Sequence, residues 1–444
     1  MNRYSLVILS LVIFLSACNT GKKDEEQQSG GGTSTGSGGG TGGSVTPPVT
    51  SVVNIPPSAG DNFDPPLRTF YVATNGNDSN PGTEAQPWKT LQHAVIQVIA
   101  GDLVLVQNGT YSGFNTNGGK NGTAQAPIIF KANGINVTIN VRNSNTPDNI
   151  NVENTNFVVI DGFIVPNAER AGIRVAESKG VIVKNNRVGP SGKWGIFTGF
   201  APEIKIRNNK VFGSKVEHGI YVSNSHGPND NPVISGNESY GNHFSGIQVN
   251  GDCDSGGDGV ISGALIEGNI LRNNDSKAFS LISMQESVVR NNLIYNNGIV
   301  NGSGGIHLTD EVGAGCNKPS NNNVIVNNTI IEPRISGISI TDNAKGNVIF
   351  NNVIITTQRS PISDEVGGNL NHIDAASNFT LQGAIPANFF VDASGNYHLK
   401  NGSPAIDAGK PAYQEKSAPT TDFEAIIARP QGPAIDLGAY EYTP

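Results

Sequence analysis

The stretch Val181-Ile182-Val183-Lys184-Asn185-Asn186 decides the fold, because the chain returns to this pattern again and again. Short β-branched runs that end in Asn recur at residues 204–209, 233–237, 265–269, 288–292, 324–328 and 348–352. A second short run, which begins with Gly-Ile, lies between them at Gly172, Gly195, Gly219, Gly246, Gly305 and Gly337. Each repeat therefore holds at least two short strands in which apolar and polar residues alternate.

The repeat has a unit of about 23 residues, and longer spacings are explained by inserted loops. A unit of this length is too short for a βαβ crossover or for a propeller blade. It suits one coil of a parallel β-solenoid, in which each coil pairs with the next about 4.8 Å along the axis. The repeated Asn then lies at the same corner of every coil, where we expect it to adopt a left-handed conformation and to stack its amide on its neighbour's.

The composition excludes several other classes of protein. The 444 residues include 55 Gly and 3 Cys, and 15% of residues are charged. These values are not those of a helical bundle or of a disulfide-rich scaffold. The net charge of −8 argues against a nucleic-acid partner, which usually requires a basic surface. We expect a monomer that binds no nucleic acid.

The N-terminus predicts export and lipid anchoring. Residues 1–18 contain a positive start, a short apolar run and then Leu15-Ser16-Ala17-Cys18, which matches the bacterial lipoprotein signal. Cys18 is therefore the predicted lipidation site, and Asn19 favours the outer membrane or cell surface within the cell envelope. Residues 19–66 are rich in Gly, Ser, Thr and Pro and predict a disordered tether. The membrane is contacted only through this lipid.

Both ends of a solenoid must be covered, because open strand edges pair with other chains. The apolar spacing of residues 87–99 predicts a helix that caps the N-terminal end. The repeat fades after Asn352, so we predict a solenoid over residues 67–375 and a capping region over residues 376–444.

Residues near both termini resemble a known group of proteins. Tyr71-Val72-Ala73-Thr74-Asn75-Gly76-Asn77-Asp78 and Pro87-Trp88-Lys89-Thr90 resemble the start of secreted right-handed parallel β-helix proteins. Asp436-Leu437-Gly438-Ala439-Tyr440-Glu441 resembles a common ending of such chains. Polysaccharide lyases of families 9 and 6, which act on pectate, alginate or chondroitin, are members of this group. The resemblance implies an all-β, right-handed parallel β-helix and an acidic polysaccharide as partner.

The outward positions of the Gly-Ile strands form a row that suits a sugar chain. Aromatic rings stack on pyranose rings, and amide or cationic groups hold hydroxyls and carboxylates. We predict substrate-binding roles for Arg174, Lys193, Trp194, Tyr221 and Gln248, although a solvated sheet face with chance side chains is an equal alternative. The full outward row is Arg174, Phe197, Tyr221, Gln248, Ser280, His307 and Ser339.

Charges are divided along the chain, with a basic stretch at residues 170–215 and acidic loops beyond it. Such a division suits an anionic polymer that binds partly to cations and partly through Ca²⁺, which prefers oxygen ligands. The alternative is that the loop carboxylates are solvated. The predicted calcium ligands are Asp252, Asp254, Asp258, Asp310 and Glu311.

Lys277-Ala278-Phe279-Ser280 is similar to the stretch of family 9 lyases that carries their lysine base. The resemblance implies that Lys277 is the base, with His218 and His307 as alternatives of suitable pKa. That family has an Asp calcium ligand where Ser280 stands here. The close Asp cluster and Gly-His-Gly of pectin hydrolases are not found in the sequence.

Two cysteines, Cys253 and Cys316, lie within two of the long loops that follow Gly-Ile strands. An exported chain meets an oxidising environment, so we predict a disulfide between them, with two unpaired thiols as the alternative. For function we predict a polyuronate lyase or a related C5-epimerase. The alternative is a non-catalytic carbohydrate-binding or adhesive surface protein.

Overall fold

The computed structural model describes residues 61–311 and 317–444. They belong to one compact unit that spans Val53–Pro444. The predicted signal peptide, Cys18, most of the predicted tether and Cys316 lie outside the described residues. Within the described part of the chain, no helix has the length and apolarity needed to cross a bilayer.

The described chain is a parallel β-solenoid, as the repeat predicts, and its strands form two long sheets. Ten strands form the smaller one, here called the site sheet: Phe114–Asn115, Ile150–Glu153, Ala171–Ala176, Trp194–Gly199, Ile220–Ser223, Ile247–Asn250, Phe279–Ile282, Gly304–Thr309, Ser336–Ile340 and Ile362–Asp364.

Twenty-one strands form the large sheet. Their bounds are Arg68–Val72, Asp102–Ser112, Ile128–Val141, Val158–Asp161, Ile164–Val165, Ile182–Lys184, Arg187–Val188, Lys205–Arg207, Lys210–Phe212, Val233–Ser235, Glu238–Tyr240, Leu265–Glu267, Ile270–Arg272, Val288–Arg290, Leu293–Tyr295, Val324–Val326, Thr329–Glu332, Val348–Phe350, Val353–Thr356, His372–Ile373 and Phe379–Gln382. Three two-stranded pairings complete the set: Ile261–Ser262 with Met284–Gln285, Phe390–Asp392 with Asn396–Leu399, and Ala412–Tyr413 with Lys416–Ser417. A 3₁₀ turn spans Cys253–Ser255.

The core lies inside the coils and is built from the alternate residues of each strand. On the site sheet, Ile196, Ile220 and Ile247 stack in register and are fully buried. Because successive side chains of a strand point to opposite faces, the residues between them are placed on the outer face. The alternation read from the sequence therefore fixes which side chains can meet a ligand.

A ladder of asparagine amides runs along one corner of the solenoid. Each Nδ2 donates to Oδ1 of the Asn in the next coil, at 2.9 or 3.0 Å. Each Nδ2 also donates to a backbone carbonyl, and each Asn N–H donates to the Oδ1 of the next coil. The amides are buried and satisfied, so they hold the corner and the register of the coils. The members are Asn186, Asn209, Asn237, Asn269, Asn292, Asn328, Asn352 and Asn378.

One detail of the predicted corner is wrong. The left-handed backbone conformation belongs to the residue before the ladder Asn in every coil except that of Asn378, as in Asn185 with φ 57° and Asn208 with φ 55°. Gly236, with φ 65°, takes the same place in the following coil. The side-chain amide of the ladder Asn points into the corner, and the residue before it adopts the left-handed conformation that reverses the backbone.

A second ladder ends on a buried carboxyl group. Asn242 donates to Asn274 and Asn274 to Asn297, both at 2.8 Å. Asn297 then donates its Nδ2 to Oε1 of Glu332 and its backbone N–H to Oε2, both at 2.7 Å. Glu332 is fully buried, and burial raises its pKa to about 8, against the opposing effect of the two Asn297 donors.

The N-terminal helix spans Leu91–Gln97, shorter than the predicted 87–99. Thr90 caps it by accepting the His93 N–H at 3.1 Å, and the helix buries Leu91, Ala94 and Val95 against the first coils. The helix covers this end as expected.

The sequence predicts a disordered tether up to residue 66, but the structure describes the chain from residue 61 onward. Asp61 pairs with Lys184 at 2.7 Å and also with Arg207, both on outward positions of the large sheet. Two cations on neighbouring coils fix this carboxylate, and together they lower its pKa despite the opposing effect of burial. The end of the predicted tether is therefore bound to the flank of the solenoid.

The tail covers the flank of the large sheet, whereas the sequence predicted that it would cover the far end. Tail residues Phe389, Tyr397 and Tyr440 form one apolar cluster with Leu293 and Ile355 of the large sheet. The left-handed asparagines of the corner add hydrogen bonds to the tail backbone, at 2.7–3.0 Å. The outward face of these coils is apolar, and burying it beneath the tail removes that surface from water.

We predict that the Glu332→Gln variant removes a pH dependence of stability. The folded state holds a proton that the unfolded chain releases, so this group stabilises the fold fully below pH 4.5, and the stabilisation is lost as pH rises to about 8. The loss should be on the order of a few kcal/mol in the free energy of unfolding. Denaturant unfolding at several pH values measures it. Glu267→Gln, which changes a partly exposed carboxylate paired with Arg290, should keep the wild-type slope. Identical slopes for wild type and Glu332→Gln would contradict the prediction.

Candidate functional site

The outer face of the site sheet carries the predicted row of side chains in register. Arg174 pairs with Phe197, Phe197 with Tyr221, and Tyr221 with Gln248 on successive coils. The same row continues through Ser280, His307 and Ser339. One column of the sheet therefore presents a cation, two aromatic rings, an amide and an imidazole along the axis.

Lys277 and His218 lie in a second column, at the start of the same strands. The Gly219 N–H donates to the Ser245 carbonyl, and the Gly246 N–H donates to the Lys277 carbonyl. This pairing places His218, Ser245 and Lys277 on three successive coils, directly before Gly219, Gly246 and Ala278. The structure places Lys277 near both His218 and His307, and the ring centroids of His218 and Tyr221 are 5.2 Å apart.

Lys277 is the unusual cation of this face. Its side chain is partly buried, and among the described residues it has neither a hydrogen-bond partner nor an ion-pair partner. Burial lowers the pKa of its ammonium group below the usual lysine value. An amine with a lowered pKa and a free lone pair can accept a proton.

The surroundings of His218 do not suit a general base, which needs an accessible nitrogen that can accept a proton. Its ring is 4% exposed, and Nδ1 accepts the Ser245 N–H at 3.2 Å. In a neutral imidazole the proton is then on Nε2, which faces the Glu217 carboxylate at 3.7 Å. Burial, with Lys277 and Lys193 nearby, lowers the pKa of His218 to about 3. His218 is therefore a neutral ring whose acceptor nitrogen is already used, which argues against the predicted role as a base.

His307 has one ring nitrogen without a hydrogen-bond partner. Its Nε2 lies 3.0 Å from Oγ1 of Thr341, while its Nδ1 is buried without a hydrogen-bond partner. The Thr341 hydroxyl donates to Asp342 at 2.8 Å, and it also contacts Thr309. Burial and the nearby Lys277 lower the pKa of His307 to about 4, although Asp342 opposes this. Lys277 therefore lies between two neutral imidazoles.

The predicted basic stretch is largely neutralised by carboxylates outside it. Arg174 pairs with Glu153 at 3.2 Å, and Lys193 pairs with Glu217 at 3.1 Å. Arg170 pairs in the same way with Asp148. These three cations of the basic stretch therefore already have carboxylate partners within the solenoid.

The acidic loops do contact one another at the end of the strands, but they do not assemble the predicted calcium site. Asp252 accepts from Asn224 at 2.9 Å, Asp258 from the Ser225 hydroxyl, and Asp310 from the N–H groups of Glu311 and Lys318. Burial, with Asp252 and Asp254 nearby, raises the pKa of Glu311. Among the described residues no group of three or more His, Cys, Asp or Glu side chains could hold a metal ion. The carboxylates are used to order their own loops.

The chain is similar to several known proteins. A family model described as "Right handed beta helix region" matches residues 194–378. The crystal structure of pectate lyase Pel9A has a TM-score of 0.60 at 19% identity, covering 86% of this chain and 98% of that one. A rhamnogalacturonan lyase has a TM-score of 0.48 at 16% identity, covering 78% of this chain and 97% of that one.

The chain has the right-handed parallel β-helix fold.

Two further matches concern parts of the β-helix. A model described as "Periplasmic copper-binding protein (NosD)" matches residues 92–256. Among the described residues of that region, no three His, Cys, Asp or Glu side chains lie together so that they could hold a metal ion. The uncharacterized protein YwoF of Bacillus subtilis is 27% identical over 254 residues, which are 51% of this chain. The match spans about half, 46%, of that relative's length.

Several residues of the β-helix site were missed by sequence reasoning. Glu217 binds both Lys193 and the Trp194 Nε1–H, the latter at 3.0 Å. Thr341 and Asp342 orient His307 from the next coil. A signal existed for Glu217, because it lies one repeat of 23 residues after Trp194. Thr341 and Asp342 follow the end of a strand, where loop lengths vary and register cannot be counted.

Cys253 is disulfide-bonded in the β-helix. Cys316 lies outside the described residues, so the pairing of Cys253 with Cys316 stays a prediction. The neighbouring loops do meet, because the Cys253 N–H donates to Glu311 at 3.3 Å.

We predict that the Cys18→Ser chain, unfolded without reductant, has no free thiol. Only Cys253 and Cys316 then remain, and a bond between them should stabilise the fold by about 2–4 kcal/mol. Thiol titration before and after reduction measures this directly. Two free thiols before reduction would contradict the pairing.

Proposed function

We propose that this β-helix cleaves a uronate-containing polysaccharide by β-elimination, with Lys277 as the base. The observation that carries the proposal is the state of Lys277. Its amine is partly buried, has no partner among the described residues and has a lowered pKa. It stands on the outer side of the site sheet, where the coils succeed one another along the axis that a linear polymer would follow.

The reaction needs one group that takes a proton and others that hold the substrate. The Lys277 Nζ takes the proton from C5 of the uronate, the C4–O bond breaks, and a C4=C5 double bond forms. The leaving oxygen gains a proton from solvent. A lysine serves as a base only when its pKa falls toward the working pH, and burial of Lys277 has this effect.

The outer face of the site sheet beside Lys277 carries polar side chains that can hold the sugar. Gln248 and Ser280 occupy the same column one coil apart, and Ser280 lies three residues after Lys277 on the same coil. The Tyr221 hydroxyl is held by Ser223, Asn250 and Gln248, and burial raises its pKa to about 12, so it remains a neutral donor. Neutral donors that are fixed in place can stabilise the charge that develops on the uronate carboxylate. The fold similarity to a pectate lyase agrees with this function, although it concerns the fold alone.

We predict that the Lys277→Arg variant loses at least roughly a hundredfold in kcat/KM, because arginine does not give up its proton. The measurement is the ultraviolet absorbance of the unsaturated uronate product. In the wild type, kcat/KM should rise with pH with a midpoint below about 10.4, the ordinary lysine value. Lys205→Arg, which changes a partly buried lysine on the large sheet, is the matched control and should keep full activity.

An active Lys277→Arg enzyme would contradict the assignment of the base. Absence of unsaturated product from every uronate polymer would contradict β-elimination itself. Exchange of the C5 hydrogen without cleavage would instead indicate a C5-epimerase, and binding without either reaction would indicate a carbohydrate-binding surface protein.

We also propose that the mature chain is a lipoprotein of the cell envelope, tethered through Cys18. The support is the sequence pattern of residues 1–18 and the composition of the following tether. Labelled palmitate should be incorporated into the wild type and not into Cys18→Ala, which should leave the membrane fraction. Equal labelling of both chains would contradict the anchor.

A further inference from the structure

A strip of aromatic side chains lies beside Lys277, on the coils toward the N-terminus. The ring centroids of Trp194 and Phe197 are 4.5 Å apart, and Phe197 meets Tyr221 edge-on at 5.6 Å. Phe244 continues the strip at the corner, one coil before Lys277, and is 42% exposed. We call Trp194, Phe197, Tyr221 and Phe244 the aromatic strip.

The strip is held rigidly and is open to solvent in part. Trp194 is fixed by its Nε1–H on Glu217 and by Lys193, whose Nζ lies 4.2 Å from the ring centroid. Lys193 covers one face of Trp194. Trp194 and Phe197 are partly exposed and Phe244 is exposed, so a ligand can reach these rings. Phe244 packs edge-on against the buried His218 at 5.6 Å, which connects the strip to the column of Lys277.

The charges around the aromatic strip do not suit a polymer in which every sugar is a uronate. The two cations of this part of the face, Arg174 and Lys193, are already paired with Glu153 and Glu217. Asp252 and Glu311 lie at the other end of the site-sheet strands and are acidic. Among the described residues there, no group of His, Cys, Asp or Glu could hold a metal ion that would balance their negative charge. A chain of uronates only would place carboxylates against these acids, where like charges repel.

We propose that the aromatic strip binds neutral pyranose residues, so that the ligand is a mixed polysaccharide in which a uronate is preceded or followed by neutral sugars. The placement of the uronate at Lys277 rests on the proposed function. From the coil of Phe197 to the coil of Ser280 there are three coil spacings, or about 14 Å, which is room for more than one neutral sugar. Neutral sugars need no counter-charge and stack their apolar faces on rings.

The test compares uronate-only chains, polygalacturonate and alginate, with mixed chains, namely hyaluronan, gellan and a rhamnogalacturonan backbone. Binding to the full chain is measured by tryptophan fluorescence, because the sequence has two Trp and Trp88 is buried in the N-terminal region. The Trp194→Phe variant identifies the Trp194 part of the signal. We expect at least one mixed chain to change the Trp194 emission and to bind more tightly than either uronate-only chain.

The Phe197→Ala and Phe244→Ala variants should each weaken binding of that mixed chain roughly tenfold. Phe212→Ala is the matched control, because Phe212 is a partly exposed ring on the large sheet that stacks on Tyr240 outside the site. Its affinity should equal that of the wild type, and thermal unfolding confirms that each variant is folded.

Tighter binding of a uronate-only chain, failure of every mixed chain to bind, or unchanged affinity in both Phe variants would overturn the strip's role. These outcomes are independent of catalysis. If mixed chains bind through the strip but no polymer gives an unsaturated product, the proposed function fails while the inference stands. If polygalacturonate binds and is cleaved with the strip removed, the inference fails while the function stands.

Discussion

The amide–amide hydrogen bond between asparagines of successive coils is the interaction on which the rest of the structure depends. Each ladder Asn donates to the next and is also satisfied by a backbone carbonyl, so no coil can slip relative to its neighbour without leaving buried polar groups unpaired. A slip of one residue would turn every outward side chain inward. The alignment of Tyr221, Gln248 and Ser280 along the axis is a consequence of this fixed register.

The same regularity explains how much could be predicted from the sequence. A period of about 23 residues predicts the solenoid, the ladder and the outward column, because the coils pair in strict register. Handedness came from resemblance, since periodicity does not determine it. The ion pair of Arg207 with Asp61 could not be predicted, because the two residues are far apart in sequence and Asp61 lies outside the repeat. The pairs of Arg174 and Lys193 join neighbouring coils. The tail's position depends on apolar outward faces, such as that of Ile355, which no repeat pattern distinguishes from core.

Among the described residues, most cations near the site are paired with carboxylates, and Lys277 is the exception. A sequence count of Lys and Arg suggested a basic surface, but the structure uses these cations to balance carboxylates of adjacent coils. Lys277 differs because its corner offers two neutral imidazoles, in His218 and His307, and no carboxylate partner among the described residues. A partly buried, unpaired ammonium group loses stability relative to the amine. The same arrangement that makes Lys277 reactive also leaves the aromatic strip as the principal recognition surface nearby.

The most direct test of this account is the titration of Lys277 itself in the folded protein. The ¹³Cε resonance of Lys277, assigned by its absence from Lys277→Arg, can be followed as a function of pH. The account predicts a midpoint below the ordinary lysine value of about 10.4. A midpoint at or above that value would show a solvated or ion-paired ammonium group, and it would contradict the claim that the solenoid leaves this amine free to act as a base.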